Sequence, residues 1–217
     1  PTAILCISAH WYTSGTFVTT NETQRTIHDF GGFPDELYAQ RYDTPGAPEL
    51  AEELIEKTGV TGATDWGLDH GAWSVLKPMF PDGDIPVFQL SIDFKKKPEF
   101  HYEMGRELGY LRSKGVLIVG SGNVVHNLRL ARWDGGDAFE WAEEFGEYAR
   151  RNLNERNDTP LIDYHHAGQS ADLSVPTNEH YLPLLYALGA SAGRSEIEIF
   201  NDDFDMGSIA MMSAIIR

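Results

Sequence analysis

Eight histidines are the residues of this chain best suited to chemistry: His10, His28, His70, His101, His126, His165, His166 and His180. Neutral imidazole is the commonest metal-ligating side chain and suits both iron(II) and zinc. It also exchanges protons close to neutral pH. Three of the eight stand where a strand ends or a helix opens. His10 follows the apolar run Ala3-Ile4-Leu5-Cys6-Ile7. His126 follows Val116-Leu117-Ile118-Val119 through the turn Gly120-Ser121-Gly122-Asn123. His180 follows Pro176-Thr177-Asn178 and precedes Leu184, Leu185 and Leu188. This spacing predicts His180 in the first turn of a helix, with Thr177 or Asn178 as N-cap. There the positive end of the helix dipole disfavours imidazolium and keeps a nitrogen for a metal. Pro183 fits only near such a helix start. A single histidine in such a place more often serves packing or the surface; three at strand and helix ends add weight to a chemical role.

His28 and His70 lie in loops rich in glycine and aromatic residues, Ile27-His28-Asp29-Phe30 and Leu68-Asp69-His70-Gly71. Such loops often line pockets, although Asp29 and Asp69 can equally do no more than orient turns. His101, His165 and His166 read as helix-surface or loop histidines. No HExxH or CxxC pattern is present, so the marked zinc signatures are missing. Gly120-Ser121-Gly122 fails the dinucleotide fingerprint because Val125 stands where its third glycine belongs. It reads instead as a tight turn that brings backbone close to the site. The carboxylate pairs Glu52/Glu53 and Glu143/Glu144 read as solvated helix faces.

The elements that must position these side chains alternate between strand and helix. Residues 3–8, 17–20, 85–93, 116–119, 196–200 and 208–216 read as strands, with 116–119 buried on both faces. Pro48 opens a helix with Leu50, Leu54 and Ile55 on one face and Gly59 as its stop. Pro98 opens another, with Phe100, Met104, Leu108 and Leu111 at helical spacing and Gly115 closing it. Residues 139–153 form an amphipathic helix with Trp141, Phe145 and Tyr148 inward, and Gly189 ends the helix of Leu184, Leu185 and Leu188. The fold class expected is α/β: one domain over residues 1–217, with a central mixed or mostly parallel sheet flanked by helices on both faces. Ligands of such sheets gather outside the carboxyl ends of the strands.

The chain carries 33 acidic and 17 basic side chains, a formal charge of −16. That surface repels phosphate backbones and anionic membranes, so neither nucleic acid nor membrane is an expected partner. No apolar run approaches the roughly 20 residues that span a bilayer, and no secretory leader is visible. The single Cys6 lies in an apolar run and reads as a buried hydrophobe in a reducing, cytoplasmic compartment. Because the chain passes from Pro1 straight into a core strand, further sequence is expected upstream.

Six segments, in order, resemble one family: Ser8-Ala9-His10-Trp11; Ile27-His28-Asp29-Phe30-Gly31-Gly32-Phe33-Pro34; Trp66-Gly67-Leu68-Asp69-His70-Gly71; Val87-Phe88-Gln89-Leu90-Ser91-Ile92-Asp93; Gly120-Ser121-Gly122-Asn123-Val124-Val125-His126-Asn127; and Pro176-Thr177-Asn178-Glu179-His180-Tyr181-Leu182-Pro183-Leu184-Leu185-Tyr186. The family is that of the DOPA-type extradiol aromatic ring-opening dioxygenases, within the superfamily of the protocatechuate 4,5-dioxygenase catalytic subunit. The resemblance runs from near residue 3 to the end. It implies a single α/β catalytic domain acting on a catechol and O2, with iron(II) as the catalytic metal and zinc(II) able to occupy the same site. His10 and His180 match metal-binding positions. His126 matches a histidine that is either a further metal neighbour or the acid–base catalyst. His70 matches a pocket histidine that bonds substrate or oxygen; His28 and Trp73 are further candidates for substrate binding. The family's His-Gly-Ser-Pro motif, whose histidine is another metal ligand, is not in this sequence. The implied reaction opens the ring beside the diol to a muconic semialdehyde, with DOPA the first candidate substrate and Arg25, Arg41 or Arg129 as partners for a substrate carboxylate.

Two other readings use the same residues. A zinc-dependent hydrolase would activate water at these histidines, with His126 as base. A non-catalytic metal-binding protein would keep the scaffold alone.

Overall fold

The computed structural model describes residues 1–191 and 196–217. They form two compact units, one of residues 1–96 and 107–121, the other of residues 97–106 and 122–217.

The first unit is built on a sheet. Its elements are β1 (Ala3–Thr13), β2 (Phe17–Thr19), β3 (Thr23–Gln24), α1 (Asp35–Tyr38), β4 (Thr44–Pro45), α2 (Pro48–Thr58), β5 (Thr61–Ala63), α3 (His70–Met79) and β6 (Val87–Asp93). After α4 (Pro98–Leu108) it ends with α5 (Tyr110–Ser113) and β7 (Val116–Ser121). The five-stranded sheet has the order β5-β2-β6-β1-β7. β1 runs parallel to β6 and β7, and β2 runs parallel to β5 but antiparallel to β6. The sheet is therefore mixed, as expected.

Every residue of β6 is buried, as in a strand covered on both faces. Ile4, Leu5, Cys6 and Ile7 of β1 are fully buried too, and each such large side chain contributes about 1.5–3 kcal/mol. Burial raises the Cys6 thiol pKa well above its ordinary value, so this cysteine packs and does not react. β7 departs from the expected strand buried on both faces: only Val116 is buried, because β7 forms the sheet's edge. α2 begins at Pro48 and stops at Gly59, whose φ of 72° is the left-handed cap that glycine adopts without strain.

The second unit is mainly helical. It contains α4 as far as Arg106, then α6 (Glu140–Asn154), α7 (Asp158–Ile162), a 3-10 turn (Tyr164–Ala167), α8 (Gln169–Ser174) and α9 (Leu182–Ser191). The strands β8 (Ile197–Phe200), β9 (Phe204–Asp205), β10 (Ile209–Ala210) and β11 (Ser213–Ile216) pair as two antiparallel hairpins, β9 with β10 and β8 with β11. The expected single strand over residues 208–216 is thus two short ones with different partners.

Gly189 does not end α9, which continues to Ser191. A side chain at Gly189 would fall 2.1 Å from the Tyr102 carbonyl, and one at Gly105 would fall 2.4 Å from that of Tyr186. These two glycines let α4 and α9 pack backbone to backbone. His101 is also corrected: it is fully buried, with Nδ1 2.9 Å from the Tyr186 hydroxyl. Of the predicted inward face of α6, Phe145 is fully buried and Trp141 and Tyr148 are half-buried. Among the described residues, no helix is long and apolar enough to cross a membrane.

Candidate functional site

The predicted site residues fall into two groups, one in each unit.

In the first unit, β1 and the start of α3 bring His10 and His70 together. β1 pairs with β6 as far as Ile7 and resumes only at Tyr12, which pairs with Ile92. That irregularity holds His10 inside the strand and re-aims it, a common use of a bulge beside a site. Asp69 caps α3 by accepting from the Ala72 backbone N–H at 3.0 Å. The same buried carboxylate accepts from the Ser8 hydroxyl at 2.6 Å and the Trp66 indole at 3.3 Å. Burial is the main reason its pKa is raised, and those bonds oppose the rise. Asp69 thus ties β1 to α3, two residues before His10 and one before His70. Gly71 permits the approach, since a Cβ there would lie 2.6 Å from Ser8 Oγ and 2.7 Å from His10 Cδ2. Ser121, at the end of β7, donates to the Gly71 carbonyl at 2.7 Å.

Asp29 completes this group. Its carboxylate accepts from the His70 backbone N–H and lies 2.8 Å from His70 Nδ1, with His10 Nδ1 3.8 Å away. Burial alone would raise the Asp29 pKa; the bonds from His70 outweigh it and hold the group below its ordinary value. A carboxylate can only accept, so the shared proton sits on His70 Nδ1, and in the neutral ring Nε2 then carries the lone pair. The His10 and His70 rings are 3.8 Å apart, centre to centre. Donor atoms of His10, Asp29 and His70 all lie within 4.8 Å of one another, a set able to hold a metal ion.

His28 and Trp73 lie one ring further out. Phe30 packs edge-on against His70 at 5.4 Å and against His28 at 5.7 Å, and lies 6.3 Å from Trp73. His28 Nε2 is bonded to the Gln40 carbonyl and the Trp73 indole to the Ile27 carbonyl, both at 3.1 Å. Their polar atoms secure the loop that carries Asp29, and Phe30 is the side chain of this cluster that reaches His70.

In the second unit, His126 is strapped from both sides. Its N–H bonds the Ser174 carbonyl at 2.9 Å, and its backbone bridges to Ile209. Asn127 donates to the Leu173 carbonyl and its own carbonyl accepts from Ser208. His180 stands in the turn before α9 and not in its first turn, because the helix begins at Leu182 with Pro183 second. The Asn178 carbonyl closes that turn by accepting from the backbone N–H groups of Tyr181 and Leu182, both at 3.0 Å. Gly122 passes so close that a side chain there would fall 2.2 Å from the His180 carbonyl. The His126 and His180 rings stack with centroids 3.5 Å apart and planes 7° from parallel. Burial lowers the His126 pKa, against an opposing pull from Glu179, and a neutral ring is what so close a stack requires.

Imidazole nitrogen and carboxylate oxygen are donors that both iron(II) and zinc accept, so the set of His10, Asp29 and His70 fits a catalytic metal. The sequence reading passed over Asn123 as a turn residue, and Asn123 bonds His180 Nδ1. It also left open whether Asp29 did more than orient a turn.

A mixed α/β sheet with a metal-capable set of His10, Asp29 and His70 fits a metal-dependent enzyme, and comparison with known proteins gives the class. Residues 1–216 match the family described as the catalytic LigB subunit of aromatic ring-opening dioxygenase. An Escherichia coli K12 protein named 4,5-DOPA dioxygenase extradiol is 49% identical, across 100% of this chain and 82% of its own. A Beta vulgaris protein of the same name is 37% identical, across 95% of this chain and 80% of its own. The crystal structure of an uncharacterized Escherichia coli K12 protein superposes with a TM-score of 0.83 at 44% identity, covering 99% of this chain and 85% of that one. The chain belongs to the LigB family of aromatic ring-opening dioxygenases. It is an enzyme of aromatic ring cleavage whose substrates are a small aromatic molecule and O2, and whose family implies a catalytic metal.

Proposed function

We propose that this enzyme is an extradiol catechol dioxygenase with DOPA as its first candidate substrate. It would cleave the ring beside the diol, placing both atoms of O2 in a muconic semialdehyde. The observation that carries the substrate assignment is the 49% identity, over the whole chain, to a relative named for that reaction.

His10 and His180 are the residues assigned to hold the metal. Iron(II), when bound, would supply an electron path between a closed-shell catechol and triplet oxygen, whose direct reaction is spin-forbidden. Zinc has no redox chemistry, so zinc-loaded enzyme binds a catechol without opening it. The resemblance leaves His126 two roles, and the burial that lowers its pKa favours proton transfer. His126, kept neutral by burial, takes a substrate hydroxyl proton and later returns one. His70 offers Nε2 to a substrate hydroxyl, oriented from behind by Asp29. His28 and Trp73 shape the substrate side by fixing Phe30 against His70. The charge of −16 and the single buried cysteine support a cytoplasmic enzyme without nucleic-acid or membrane partners.

The test is oxygen uptake by full-length protein, stripped of metal and reloaded anaerobically with iron(II), on adding DOPA. Uptake with a yellow product, lost on zinc substitution, is the expected result. No uptake with any catechol despite bound iron would overturn the proposal, and turnover under nitrogen would favour a hydrolase.

A further inference from the structure

We infer that Asn123 is a positioning residue for the metal: it fixes the tautomer and ring orientation of His180 so that Nε2 is the nitrogen presented for coordination. This rests on the assignment of His180 as a metal ligand.

The two ends of the Asn123 side chain are chemically distinct, and the surroundings decide which points where. Nδ2 can only donate, and it lies 2.8 Å from the Ala210 carbonyl in β10, which can only accept. The amide cannot reverse without setting two acceptors against each other. Oδ1 therefore faces His180, and its partner 3.1 Å away is His180 Nδ1. An amide oxygen accepts, so Nδ1 carries the proton and Nε2 the lone pair. A ligating histidine normally donates its other N–H in this way, and loss of such a partner typically weakens metal binding about 10–100-fold.

The fold keeps Asn123 in place from both sides. Gly122 lets its backbone pass against the His180 carbonyl. The Ala210 N–H bonds the Val125 carbonyl at 3.0 Å, so the strand that anchors the amide is itself tied to the segment carrying it. The stack of His126 on His180 restrains the ring faces, and the hydrogen bond to Asn123 restrains rotation within the ring plane.

The two halves of the amide can be separated by substitution. N123D keeps an acceptor for His180 and loses the donor to Ala210; N123A loses both. Zinc(II) affinity of the full-length protein, by competition with a chromogenic chelator, is the readout, beside thermal midpoint and H180A as reference. The expected result is a loss of about 10–100-fold in N123A, with N123D within a few-fold of wild type, although both lose the tie to β10. Equal losses in N123D and N123A would mean that the tie to β10 is what matters and would overturn the inference. So would wild-type affinity in N123A when H180A binds poorly. Wild-type affinity in H180A would instead overturn the ligand assignment beneath it.

Discussion

The His126 and His180 rings lie face to face, 3.5 Å apart and 7° from parallel. One surface of each ring is therefore spent on the other. His180 is oriented through its edge by Asn123, whereas His126 is fixed through its backbone by Ser174 and Ile209. On the proposed roles, removing either ring removes a different function.

This divergence gives the first prediction. H126A retains zinc(II) or iron(II) within a few-fold of wild type and loses about 10²–10⁴-fold in kcat with DOPA, the usual contribution of a positioned acid–base group. H180A loses the metal itself. Metal content after gel filtration and oxygen uptake, measured on the same preparations, separate the two. Full-rate turnover by H126A would rule out its role in proton transfer.

Gly71 gives the second. Its missing Cβ leaves room for Ser8 Oγ and His10 Cδ2, which would stand 2.6 and 2.7 Å from it. G71A must push β1 away from α3 or turn His10 aside. We expect about 1–3 kcal/mol of destabilisation from the crowding, together with weaker metal binding. Urea unfolding and chelator competition measure both. A variant as stable as wild type with unchanged affinity would show that β1 yields without disturbing His10.

Much of this arrangement was legible in the sequence, and the remainder was not for identifiable reasons. Pro48 and Gly59 mark α2 because a missing N–H and a positive φ are local properties. His10, His70, His126 and His180 stood out through their neighbours in the chain. Their partners did not: Asp29 meets His70 across 41 residues and Asn123 meets His180 across 57. A bond closed by tertiary packing has no periodicity to reveal it. The bulge at His10 was hidden likewise, because register exists only against a partner strand. His101 could have been found: with Met104, Gly105 and Leu108 it makes a buried stripe at spacings of three, four and seven.

Acid sensitivity follows from the loop that carries His28 and Asp29. Asp43 accepts from the Thr26 backbone N–H at 2.6 Å and the Thr26 hydroxyl at 2.7 Å, closing residues 26–43 at their base. Those bonds hold its pKa below the ordinary carboxylate value. A group depressed on folding stabilises above its unfolded value, and that contribution is lost as pH falls through the folded one. Asp29 is depressed too, with His70 as the cause, so it adds to the same limb. Stability, read as the urea midpoint, therefore declines below about pH 4. D43N starts lower at pH 7 and converges on wild type in acid. A constant gap between the two at every pH would show that the Asp43 charge contributes nothing.

The Asp29–His70 pair carries the last prediction. A carboxylate 2.8 Å from Nδ1 does two things: it fixes the tautomer, and it makes Nε2 a stronger acceptor for a substrate hydroxyl. D29N keeps an acceptor oxygen but not the charge, and D29A keeps neither. If His70 works on the substrate, kcat/KM falls about 10–100-fold in D29A and less in D29N, while zinc affinity stays near wild type in both. The donor set of His10, Asp29 and His70 makes the opposite outcome informative. Should D29A lose metal in step with activity, Asp29 would be a ligand, and the ion would be held by two histidines and a carboxylate in the first unit. Measuring zinc affinity and oxygen uptake on D29N and D29A together decides between an orienting carboxylate and a coordinating one.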